Sequence, residues 1–322
     1  MAHLDDKAPR WLDLAMTPVA YLAGLAMKVA TRLDHRLPTA QRVLDRSGLR
    51  LVRQHYYTPV VREADLHRPL DEERALPGLD LNAAGQLALL QEFRFADELR
   101  ALPEHPGGGV FHFRNGAYSF GDAEILYDMI RRFRPRRLVE VGSGWSTRLA
   151  VEALRANAAR DPAYACRHIC IEPFEQPWLE AFGVEVVRQR VELVDPALFA
   201  SLEAGDILFI DSSHVVRPQG DVVTEFLEIL PALAPGVLVH VHDVFTPRDY
   251  PPEWVLKERR LWTEQYLMEA FLTHNREFEV LCAVNWLSHN HRDKLAEATP
   301  WLVQHPGHEP GAFWFRRVPS LP

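Results

Sequence analysis

The sequence predicts an α/β fold, a mostly parallel sheet with helices on both faces and an antiparallel pair of strands at its end. Three observations carry this. Beyond about residue 110, short apolar runs alternate with helix-length amphipathic segments, the pattern of successive βαβ units. The run 138–141 ends in a glycine turn, Gly142-Ser143-Gly144, which opens a helix; ligands enter a doubly wound sheet at such strand ends. The composition, 47% hydrophobic and 25% charged over 322 residues, suits one large globular domain with an extension.

Taken in order, residues 1–55 read as helical, and 56–110 as irregular and proline-dotted with one helix over 83–99. Pro106-Gly107-Gly108-Gly109 punctuates the chain, which places the division between a helical N-terminal extension (1–108) and the sheet domain (109–322). A helix over 120–133 buries Ile125, Leu126, Met129, Ile130 and Phe133 on one face. Strands follow at 138–141, 168–172, 184–188, 207–211, 237–242, 278–284 and 312–317. Helices fall at 146–159, about 176–181, 196–203, 220–232 and 260–275. No amphipathic helix separates the last two strands, so they are expected to pair as a hairpin.

Bulk properties exclude several classes. The net charge of −8 argues against a nucleic-acid partner. Yet residues 1–60 hold nine Lys/Arg against five Asp, leaving the remainder at −12. Three cysteines, Cys166, Cys170 and Cys282, form neither a disulfide framework nor a zinc pattern, and a reducing cytoplasm fits them. The apolar segment from Leu14 to Val29 is interrupted by Pro18 and Gly24 and is short for a membrane span. Packing on the main domain or on a second subunit of a homo-oligomer is the favoured reading; the alternative is peripheral membrane contact through the basic N-terminal region.

Chemistry is sought where the strands end. The first strand gives Glu140, Gly142, Ser143 and Gly144. A carboxylate at Glu140 would repel a pyrophosphate and attract the ammonium of an amino-acid moiety. The second strand ends at Glu172, which can accept both hydroxyls of a ribose. The fourth ends in Asp211-Ser212-Ser213-His214 and the fifth in His242-Asp243. Asp211, His242 and Asp243 therefore form a candidate site for a hard cation, Mg2+ or Mn2+. His214, three residues past Asp211, is a candidate general base acting with it. Asp211 can alternatively order its loop or face the cofactor. His240 reads as a packed strand histidine. Ser119, in Tyr118-Ser119-Phe120-Gly121-Asp122, is placed to cap the cofactor or the following helix. Arg248, Asp249 and Tyr250, between prolines, read as a lid or a rigid surface loop.

These residues resemble the class I S-adenosylmethionine-dependent methyltransferases, nearest to the bacterial "methyltransferase 24" type that includes small-molecule and sugar O-methyltransferases. The resemblance rests on Glu140-Val-Gly-Ser-Gly144, Glu172, Asp211-Ser-Ser-His214 and His242-Asp243, over about residues 110–318. It implies a Rossmann-like doubly wound seven-stranded sheet with an antiparallel last strand. It assigns Glu140 and Gly142 to Gly144 to the methionine part of the cofactor and Glu172 to its ribose. It assigns a metal to Asp211, His242 and Asp243, with His-Asp where such relatives have Asp-Asp or Asp-Asn. The implied acceptor is a small molecule or glycan. A non-catalytic S-adenosylmethionine-binding protein is the main alternative. A nicotinamide-dependent oxidoreductase is disfavoured because Thr147 stands where its fingerprint needs a third glycine.

Overall fold

The computed structural model describes residues 10–32, 36–49, 52, 55–174 and 178–319. Lys7, Arg50 and Arg53, and the first half of the helix expected at 176–181, lie outside these residues; Leu179–Phe182 forms a 3-10 turn.

Seven strands build one sheet: β1 (Arg137–Val141), β2 (Arg167–Ile171), β3 (Glu185–Val187), β4 (Ile207–Ile210), β5 (Leu238–Val241), β6 (Phe278–Ala283) and β7 (Phe313–Arg317). Their order is β3-β2-β1-β4-β5-β7-β6. The first five are parallel and β7 is antiparallel to both neighbours. The chain reverses its direction of winding between β1 and β4, and this switch point brings the ends of β1, β2, β4 and β5 to one rim. The expected hairpin is corrected in one respect. β6 and β7 do pair, but β7 inserts between β5 and β6, and short helices Val284–Asn290 and Arg292–Leu295 lie in the connection.

Alternation along the strands separates two cores. Leu138, Ile207, Phe209, Leu238 and Trp314 face helices Asp122–Phe133 and Trp145–Arg160. Val139, Val141, Leu208, Ile210 and Val239 face the opposite layer with Phe226 and Met268. There helix Asp221–Thr224 passes through a π-turn, Glu225–Ile229, into Leu230–Ala232. Helix Asp122–Phe133 is anchored at its start by two buried acids. Glu124 accepts the backbone N–H of Gly121 (3.0 Å), Trp301 (2.7 Å) and Leu302 (3.0 Å). Burial outweighs those bonds and lifts its carboxyl to about 7. Asp122 accepts Gly311 N (2.9 Å) and Ala312 N (2.7 Å), which fixes the entry to β7.

The compact unit that contains the sheet spans Arg68–Pro322, so the expected division after residue 108 falls inside it. Residues 68–108 share its core through Leu89, Leu90, Phe93 and Leu99. The single helix expected over 83–99 is two, Ala83–Leu90 and Ala96–Ala101. The other unit, Met1–His67, contains helices Arg10–Arg32 and Pro38–Arg46, and neither has a buried residue.

Candidate active site

The glycine turn after β1 is built by contact rather than by flexibility. Gly142 adopts φ +78°, and a Cβ there would lie 1.9 Å from the carbonyl oxygen of Asp211. Only glycine lets β1 and β4 end so close together. Gly144 is extended (φ −175°) and faces open space, so it imposes no such demand.

Glu140 does not project into open space as expected. It is fully buried under the turn, where Oε1 meets His168 Nε2 at 2.6 Å and Oε2 accepts the Thr147 hydroxyl at 2.7 Å. Thr147 Oγ1 in turn accepts Gly144 N at 3.1 Å. The acid thus shapes the turn and the first turn of the next helix. Thr147 does this with a hydroxyl that a third fingerprint glycine would lack.

Beside the turn lies a cleft of about 270 Å³ lined by Gly142, Glu172, Arg190, Asp211, Ser212 and Ser213 among others. Glu172 stands at its edge and accepts backbone N–H groups of Ser143 (3.2 Å) and Phe174 (2.8 Å). Ser213 is held by Asp221, which accepts its N–H (2.9 Å) and hydroxyl (2.7 Å). A second cleft, about 400 Å³, opens on Ser119, Asp122, His242, Asp243, Trp254 and His308. Ser119 is not a side-chain cap: its hydroxyl donates to the Phe113 carbonyl at 2.5 Å, and it borders this second cleft.

Asp211 borders the first cleft and Asp243 the second, and the His214 ring lies close to both. Its Nε2 lies 3.3 Å from Asp211 Oδ1 and 3.6 Å from Asp243 Oδ2, and its Nδ1 lies 2.7 Å from Glu264 Oε2. His214 (φ +60°) and Asp243 (φ +57°) both hold left-handed backbone, a strained state for non-glycine residues that concentrates at functional sites. Asp211, His214 and Asp243 present one ligand atom each within 4.8 Å of one another. This set contains His214 where the sequence suggested His242. His242 sits beside it, with Nδ1 3.5 Å from Asp211 Oδ1 and Nε2 3.4 Å from Asp122 Oδ2.

Electrostatics follow from this crowding. Burial disfavours a charged His214, but hydrogen bonds to Asp211 and Glu264 outweigh it and raise its pKa well above the ordinary value. His242 is raised against its burial by Asp243 and Asp211. Burial would raise Asp211, yet the charge of His242 and the hydrogen bond to His214 bring it below the usual carboxylate range. Burial pushes Asp243 and Glu264 up. His240 is a packed histidine as expected: it is fully buried, stacks on Phe209 at 4.1 Å, and burial keeps it neutral.

Two positioning residues escaped sequence reading. Glu264 orients His214, and His168 holds Glu140. Neither sits in a recognisable motif, and only the fold reveals the partner. The aromatic segment 254–271 also contributes, since Trp262 packs on His214 at 4.2 Å and Trp254 lines the second cleft. The loop of Arg248, Asp249 and Tyr250 is rigid: Asp249 N donates to Leu70 O, Arg248 to Asp71 O, and the buried Tyr250 hydroxyl accepts Gln265 N. The three cysteines are free, two buried and Cys166 partly so.

Comparison with known proteins follows this geometry. Residues 139–244 match the profile of a family described as a methyltransferase domain. An uncharacterized protein of Archaeoglobus fulgidus is 28% identical over 164 residues, 46% of this chain and 72% of its own length. Among solved structures, an O-methyltransferase from Bacillus cereus in complex with SAH aligns at 13% identity and a TM-score of 0.38, covering 71% of this chain and 90% of that one. The matched segment holds the glycine turn, Glu172, Asp211, His214, His242 and Asp243, on the sheet order described above. Residues 139–244 are thus similar to a methyltransferase domain, and they lie on a sheet with the order and antiparallel last strand described above.

Proposed function

We propose that this chain methylates a hydroxyl oxygen of a small-molecule or sugar acceptor. The observation that supports this reading best is the polar cluster lying between two clefts, one carrying the glycine turn and Glu172 and the other open towards Asp243. Glu172 would accept the ribose hydroxyls of the cofactor, and the turn at Gly142 to Gly144 would admit its methionine part. Ser119 would border the acceptor. S-adenosylmethionine supplies a methyl group on a sulfonium that is already activated. The protein's share is therefore alignment of the acceptor oxygen and management of its proton.

The donor set fits a divalent cation. Two carboxylates and an imidazole converge, and His242 Nδ1 is buried beside them without a hydrogen-bond partner. Mn2+ suits mixed oxygen and nitrogen ligands better than Mg2+. Asp211, His214 and Asp243 would hold it, and Glu264 would orient His214 from behind, as outer carboxylates do for metal-bound histidines. Such a cation lowers the pKa of a hydroxyl bound to it. The second reading makes His214 the general base; the same Glu264 contact favours it, because a base needs an orienting partner. Three surrounding carboxylates oppose it by keeping His214 protonated.

Calorimetric titration with S-adenosylhomocysteine, first in EDTA and then with Mn2+ or Mg2+, tests the reading. Micromolar binding is expected in both, and no binding in either would overturn the cofactor assignment. Turnover that survives EDTA but is lost in His214→Ala would replace the metal role with the base role. Turnover unchanged in His214→Ala would remove both.

A further inference from the structure

Helix Arg10–Arg32 is the most apolar exposed element among the described residues. Trp11, Leu14, Tyr21 and Leu22 are 69%, 72%, 68% and 67% exposed, and no residue of the helix is buried. A helix that exposes this many large apolar side chains requires an apolar cover. The charge around it names that cover. Residues 10–46 hold six basic side chains, Arg10, Lys28, Arg32, Arg36, Arg42 and Arg46, against Asp13, Asp34 and Asp45, in a chain whose net charge is −8. Five of the six follow the apolar stretch.

We infer that residues 10–46 bind the surface of an anionic phospholipid bilayer, with helix Arg10–Arg32 lying in the plane of the interface. The 23-residue helix is long and apolar enough to cross a membrane by length and composition, but the placement of its charges favours the plane of the interface. The stretch without a charged residue, between Asp13 and Lys28, is 14 residues. At about 1.5 Å per residue it reaches roughly 21 Å, against about 30 Å of hydrocarbon core. Lying flat, the stretch buries Leu14, Leu22 and Leu25 in the acyl boundary. Helix Pro38–Arg46 then presents Arg42 and Arg46 to the lipid head groups. Parallel packing against a second copy would gather two like-charged basic ends, whereas a bilayer of opposite charge complements them.

The test is flotation of the full chain with vesicles of phosphatidylcholine alone or mixed with phosphatidylglycerol. The expected result is binding to the mixed vesicles, about tenfold weaker to the neutral ones, and release by high salt. Leu14→Asp/Leu22→Asp and Arg42→Glu/Arg46→Glu should each abolish flotation while S-adenosylhomocysteine binding persists, which separates this inference from the methyl-transfer reading. Absence of flotation would overturn it, as would a dimer dispersed by Leu22→Asp without any vesicle binding. Retention through high salt and alkaline carbonate would overturn the in-plane placement.

Discussion

Replacing Gly142 with Ala, against the same change at Gly144, separates a steric role from a merely permissive one. At Gly142 the added Cβ would sit 1.9 Å from the Asp211 carbonyl oxygen, so the backbone of β4 must retreat by more than 1 Å to restore ordinary contact. Left-handed backbone costs a non-glycine residue about 1–2 kcal/mol, and forcing apart a packed contact costs about 1–3 kcal/mol more. The sum, about 2–5 kcal/mol, corresponds to a fall in Tm of roughly 5–15 °C for a unit of this size. Because the displaced residue is Asp211, affinity for S-adenosylhomocysteine should also fall. At Gly144 nothing lies within 4 Å and φ is −175°, so Ala should cost less than about 1 kcal/mol. Thermal unfolding and calorimetry on both variants check this. Equal losses, or an unchanged Gly142→Ala protein, would refute the argument that the turn is fixed by the Asp211 carbonyl.

Three further outcomes follow. Glu264→Gln removes the charge at Nδ1 of His214 and should lower the pKa of that imidazole, as read by its ring-proton shifts against pH. The stability contributed by His214 is complete below its unfolded pKa and declines as pH rises through its raised folded value; in Glu264→Gln this decline should begin at lower pH, visible in Tm against pH. Mn2+ affinity should strengthen as pH rises, since a ligand imidazole must first release its proton; a pH-independent affinity would exclude His214 from the ligand set. Arg74→Met strands the buried Glu269, to which Arg74 is paired by two hydrogen bonds. The loss should be about 3–5 kcal/mol in chemical denaturation. Replacing both partners by apolar residues should recover much of it.

Much of the fold was legible because its signals are local. The seven strands lie within a residue or two of the apolar runs, and the glycine turn announced the rim. Asp211, His214, His242 and Asp243 gather there because strand ends on adjacent parallel strands must. What stayed hidden depends on which strand neighbours which. Nothing near residue 313 states that β7 enters between β5 and β6. The Pro106-to-Gly109 punctuation resembled a boundary, but residues 68–108 are bound to the sheet unit by Leu90, Phe93 and Leu99, whose partners lie far along the chain. The contact of Glu140 with His168 was hidden for the same reason, since His168 lies on the neighbouring β2, where sequence spacing does not show it.

The insertion of β7 has a consequence for how the protein is made. Until residues 313–317 leave the ribosome, β5 carries one unpaired edge and β6, which pairs only with β7, carries two, although every residue of the candidate rim has already been synthesised. The nascent chain thus holds additional open β-edges, templates for pairing with other chains, until β7 is made. Closure waits for the C-terminal strand, and the Asp122 carboxylate that receives Gly311 and Ala312 serves as its dock. Release before residue 313 would yield a chain prone to association rather than one merely less stable.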